Sequence, residues 1–191
     1  MAVSEFSLTK FVKESIQIFK SPKTYFSSIK KDGELKEAVI KSLMYGLITY
    51  CIQIVDLRIS PPTELPPTTT FIIWVFVIFL VMSLIMLYVG SFITLVISAI
   101  CGGNTNFSLN ARVVSSIMVV WPAGAALGTI LRIFSKSYLI YPVVTLVASL
   151  YGLALLRVAL IESLEAKHKA RITIILVFLS IFLIFSFIRS L

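Results

Sequence analysis

The sequence predicts an all-α, polytopic integral membrane protein: five transmembrane helices preceded by amphipathic N-terminal helices. Three observations carry this expectation. Hydrophobic residues make up 58% of the chain and charged ones 14%, where a soluble domain carries ~25% charge. Five apolar runs, near residues 38–57, 71–100, 113–131, 138–161 and 172–188, each reach the ~17 residues that a membrane crossing needs. The polar connections between them hold basic residues unevenly, as membrane insertion demands.

The chain of 191 residues divides into an interfacial lead, 1–37, and a five-span bundle, 38–191. In the lead, Leu8, Phe11, Val12, Ile16 and Phe19 recur at helical spacing, with Lys10, Lys13, Glu14 and Gln17 mostly on the other side. Such a helix either lies in the membrane interface or packs on the ends of the spans, and both can hold together. Ser21-Pro22 resets the helix, because serine favours the cap and proline the first helical position. A second short helix follows, with Tyr25, Phe26 and Ile29 on one side, and ends at Asp32-Gly33. Asp32 then caps the helix that enters the first span.

Lys41 lies about one turn inside that span, where its stem can snorkel to the head groups. Residues 58–70, with four prolines, predict an extended connector. The second span, 71–100, would measure ~45 Å and must tilt, protrude or bend. Gly102-Gly103 allows a tight turn before the central run, Arg112 to Arg132. There the 19 residues between the arginines span ~28 Å. Pro122 kinks or loosens this helix, and Gly124 and Gly128 permit close approach of a neighbour. Ala148 and Gly152 of the fourth span offer the facing surface. These residues form either ordinary packing within one bundle, a homodimer seam, or a cleft. The connection 162–171 is expected to continue as helix, with Glu165 and Lys169 paired.

With the N-terminus inside and five spans, thirteen of the 17 basic residues fall on the cytosolic side, and the C-terminus falls outside. Net charge is +8, which here points to anionic lipid heads rather than nucleic acid. The expected lipid or partner face comprises Phe11, Phe19 and Phe26 with Lys13, Lys20, Lys23, Lys30 and Lys31 in the lead. Arg112, Arg157, Lys167, Lys169 and Arg171 extend it over the cytosolic loops. The sequon at Asn106 would lie on that same side, so modification there is not expected.

No pattern for catalysis stands out. His168 is the sole histidine and cannot build a zinc site alone; no Walker loop, dinucleotide loop or nucleophile elbow occurs. Neither a cofactor nor enzymatic activity is expected. Cys51 and Cys101 are expected to be buried free thiols. Lys41, Arg157 and Asp56 all lie near span ends, within reach of water or head groups, which weakens the case for an ion-coupled transporter.

The ordered features resemble the Yip family of Ypt-interacting and Rab-associated membrane proteins. Ser21-Pro22 and Phe26, then Gly102-Gly103 with Phe107 and Arg112, carry the resemblance. Pro122, Tyr151, Ala159-Leu160 and the Lys167-His168-Lys169-Ala170 loop continue it over roughly residues 8–188. The resemblance implies a non-enzymatic adaptor or scaffold that organises protein partners or lipids in membrane trafficking or membrane organisation. Eukaryotic members carry a longer lead before the first span, so this chain is closer to prokaryotic ones. A prokaryotic plasma membrane is the expected location, ahead of an early secretory membrane. The implied partners are the bilayer, anionic lipids, a membrane or cytosolic protein, and a second copy of the chain. The alternative is a small transporter, channel or lipid-handling protein with a cleft at the third span.

Overall fold

Two short helices and five membrane-length segments share one core in the computed structural model, which describes residues 7–29, 33–59, 69–135, 137 and 139–190. The helices are α1 (Leu8–Lys20), α2 (Pro22–Ser27), α3 (Leu35–Ile59) and α4 (Thr69–Ile100), followed by α5 (Phe107–Ile117) and α6 (Val120–Ser135). The chain ends in α7 (Ile140–Glu162) and α8 (Lys169–Ser190). Five segments are long and apolar enough to cross a membrane: α3, α4, α5 with α6, α7 and α8. Lys30, Lys31, the Asp32 cap and most of the proline-rich connector lie outside the described residues.

The third span is the centre of the bundle. In its most apolar window 56% of residues are buried, against 11–28% in the other four spans. It is not one helix, because α5 ends at Ile117 and α6 begins at Val120. Pro122 explains the break: it has no N–H to donate to Met118, whose carbonyl instead accepts from Trp121 at 3.1 Å. Around this axis α5 packs against α3, α4 and α7, and α6 against α3 and α7. The peripheral helices expose apolar side chains all along their length, among them Trp74 and Phe92 of α4 and Phe178, Phe182 and Phe185 of α8. These form the perimeter that meets lipid.

The N-terminal helices are not a separate layer. Phe11 and Ile18 of α1 and Tyr25 and Phe26 of α2 are buried in the same core as Leu109, Leu155 and Leu160. Three further expectations need correction. The connection after α7 is not helical, since α7 stops at Glu162 and Glu165 adopts a positive φ of 52°. Cys51 is exposed on the flank of α3, while Cys101 is fully buried. Lys41 does not snorkel outward; it is 9% exposed and turned into the protein.

Candidate functional site

At the end of the bundle that carries α1 and α2, two connections lock together. Gly102, with φ +69°, turns the chain out of α4. The Cys101 carbonyl then accepts from the Lys167 and His168 amides at 3.1 Å, and the Asn104 amide donates to the Leu164 carbonyl at 2.7 Å. The Ser98 hydroxyl closes the turn on the Asn104 carbonyl at 2.9 Å. Asn106 caps α5, its side chain accepting from the Leu109 amide at 3.2 Å. Gly103 sits where the connections touch: a Cβ there would lie 2.8 Å from the Leu164 carbonyl oxygen. Gly103→Ala is therefore expected to destabilise the protein by about 1–3 kcal/mol. A thermal melt of the variant equal to that of the native chain would overturn this. Burial pushes the Cys101 thiol up, with Arg171 opposing, so it stays protonated beneath the cap.

Beneath α1 and α2 runs a chain of charges and hydroxyls. Lys41 Nζ pairs with Glu14 at 2.5 Å and donates to the Tyr25 hydroxyl at 3.3 Å. Ser116 spends its proton on the Arg112 carbonyl, so Tyr25 donates to Ser116 Oγ at 2.8 Å. By the same count the Tyr45 hydroxyl donates to Ser15, whose own proton goes to the Phe11 carbonyl. Arg112 pairs with Glu37 at 3.0 Å, and Lys10 reaches Glu37 at 3.4 Å. Phe26 is pinned by its backbone carbonyl, which accepts from Ser163 at 2.5 Å. This network ties α1 and α2 to α3, α5 and the end of α7.

The expected lipid or partner face is thus divided. Phe11 and Phe26 are core residues, 4% and 0% exposed, because they fill the space between α1, α2 and the spans. Arg112 turns inward to Glu37, and Gly33 packs directly on its guanidinium. Lys13, Lys20, Lys23, Arg157, Lys167, Lys169 and Arg171 are exposed, as is Phe19. Lys23 approaches Glu162 at 3.8 Å, and Arg171 donates to the Ile100 carbonyl at 3.3 Å. Lys30 and Lys31 lie outside the described residues.

Of the small residues in the third and fourth spans, Gly124 faces Ala148 and Gly128 faces the ring of Tyr141. Gly152 lies farther along, where a Cβ would meet Ile117 at an ordinary 3.8 Å. Pro122 is buried at the start of α6. At the far end of the bundle Asp56 also departs from expectation. It is 5% exposed and pairs with Arg132 at 2.7 Å, next to a Gln53–Tyr141 hydrogen bond. Among the described residues, Asp56 Oδ1, Thr129 Oγ1 and Arg132 Nε have no hydrogen-bond partner.

Sequence reasoning missed Glu14, Glu37 and Tyr25 as partners. One signal was available. A lysine inside an apolar span needs an acidic partner, and Glu14 shares the 11-14-15-18 stripe of α1 with the buried Phe11 and Ile18. Among the described residues, no group of three metal-ligating side chains occurs. The family model described as Yip1 domain matches residues 16–189. No similar curated protein and no similar solved structure was found.

Proposed function

The chain belongs to the Yip1-domain family of membrane proteins, and from that premise we propose that it is a non-enzymatic membrane adaptor whose α1–α2 end faces the cytosol. In this reading it gathers a membrane or cytosolic protein partner at anionic membrane, in trafficking or membrane organisation. The supporting observation is the locked cap. Lys167 is exposed on a connection whose backbone is tied to Cys101 and Asn104, and Lys169 and Arg171 are exposed on the first turn of α8 that follows it. Lys13, Lys20 and Lys23 are exposed on α1 and α2 at the same end of the bundle. Cations held on a fixed backbone lose less entropy on binding an acidic segment than cations on a loose loop do.

Close packing at the α3–α4 and α4–α5 seams supports the adaptor over a conduit there. Between α3 and α4, Ser42 donates to the Ser83 carbonyl at 2.8 Å, and Gly46 lies against the Ser83 side chain. Between α4 and α5, Gly90 lies against Val114.

The test uses the full chain in its membrane with the substitutions Lys167→Glu and Lys169→Glu. Crosslinking to the partner protein is expected to fall about tenfold, the equivalent of ~1.4 kcal/mol, with no change in melting temperature. An unchanged crosslinking pattern overturns the role of this face. Solute flux or lipid scrambling above that of empty vesicles overturns the adaptor reading in favour of a transporter or lipid-handling protein.

A further inference from the structure

Helix α1 carries two apolar stripes, and the bundle covers only one of them. Phe11 and Ile18, with Glu14 and Ser15 between them, turn onto the spans. Leu8, Val12, Ile16 and Phe19 form the second stripe, and all are exposed, Leu8 and Ile16 by 60% and 58%. At ~100° per residue this second stripe occupies a sector of about 80°, beside the protein-facing one. Lys13 and Lys20 follow about 40–60° beyond Ile16, on the side away from the protein. The helix therefore has a protein sector, an exposed apolar sector and a cationic sector, in that order.

We infer that the Leu8, Val12, Ile16, Phe19 stripe is sunk into the acyl chains of the adjoining leaflet, with Lys13 and Lys20 at its anionic head groups. Two observations choose lipid over a protein partner. The first is continuity. Phe19 stacks on Tyr151 with ring centroids 5.8 Å apart and planes within 7°, and Tyr151 belongs to the exposed perimeter of α7 beside Val147.

The second is depth. Lys10, near one end of α1, meets Glu37 at the start of α3, while Phe19, near the other, meets Tyr151, which lies 11 residues before Glu162. That is about 16 Å along α7 from its end, so α1 slants down the side of the bundle rather than lying across its tip. Phe19 therefore lies among the exposed apolar side chains on the flank of α7. Lysines beside the stripe extend their stems toward head groups, as interfacial helices require. The inference does not depend on the adaptor reading, because lipid contact and partner recruitment are read by separate measurements.

The test places the full chain, with Trp74→Phe and Trp121→Phe, in vesicles of phosphatidylcholine and phosphatidylglycerol. Ile16→Trp, and separately Val12→Trp, put a probe on the stripe, while Gln17→Trp puts one on the exposed polar side. Brominated acyl chains are expected to quench Ile16→Trp and Val12→Trp severalfold and to leave Gln17→Trp nearly unchanged. Aqueous iodide should give the reverse order. Stripe probes quenched by iodide and not by brominated lipid overturn the inference. Stripe probes shielded from both also overturn it, and would indicate a protein cover such as a second copy. Two stripe positions are used so that misfolding of one variant does not decide the outcome.

Discussion

Replacing Arg132 by methionine is expected to lower the stability of the purified protein by about 3–5 kcal/mol, the largest effect of any single substitution considered. Its partner Asp56 is 5% exposed and depends on the 2.7 Å contact for compensation of its charge. Among the described residues, the Oδ1 atom of that carboxylate has no hydrogen-bond partner even with Arg132 present. Without the guanidinium, an uncompensated carboxylate remains between α3 and α6. For a chain of this size the loss corresponds to a melting shift of roughly 10 °C.

The decisive control is the double variant Asp56→Leu with Arg132→Met. It should recover most of the loss, because the cost arises from the orphaned charge rather than from the missing contact. A single variant that melts with the native protein, or a double variant no better than the single one, would contradict this account. Protection of α1 from protease should be unaltered, since the pair lies at the other end of the bundle.

Lys41→Met is expected to act locally, with a loss of about 3 kcal/mol confined to the attachment of α1 and α2. Lys41 joins Glu14 of α1 to Tyr25 of α2, and both side chains of the ion pair are largely buried. Its removal leaves the largely buried Glu14 with the exposed Lys10, at 3.8 Å, as its remaining ion-pair partner among the described residues. The population with α1 detached should rise about 100-fold, at ~1.4 kcal/mol for each factor of ten. Trypsin cleavage after Lys13 or Lys20 in intact vesicles reads that population directly when opening and closing are fast. Adding Glu14→Gln to Lys41→Met should restore most of the protection. Cleavage at the native rate in Lys41→Met would show that the buried pair does not hold α1 in place.

Much of the fold was legible in one dimension. The apolar runs announced five membrane-length segments, and the described residues contain five helical segments long and apolar enough to cross a membrane. Pro122 signalled the disturbance in the third span, and Gly102-Gly103 the turn that leaves α4. The candidate site was less legible. Phe11 and Phe26 were indistinguishable in sequence from exposed aromatic residues of an interfacial helix, yet both are core. Arg112 and Lys41 resembled boundary charges and are instead bound to Glu37 and Glu14. The connection after α7 had a helical composition, but its backbone is used to clamp Cys101 and Asn104. In each case a contact distant in sequence overrode a local preference.

The sequence by itself determined that this protein is an α-helical membrane protein with five crossings. A lipid surround forces backbone polar groups to pair within each segment, so length and hydropathy are enough to locate helices. Only the tertiary structure decided which stripe of α1 belongs to protein, because Leu8-Val12-Ile16-Phe19 and Phe11-Glu14-Ser15-Ile18 are equally regular on the helix. It also decided which carboxylate each buried cation would meet. Glu14 and Lys41, or Asp56 and Arg132, come together only when the helices between them have folded, since attraction at ~4 Å in a poorly polarisable interior far exceeds attraction across water.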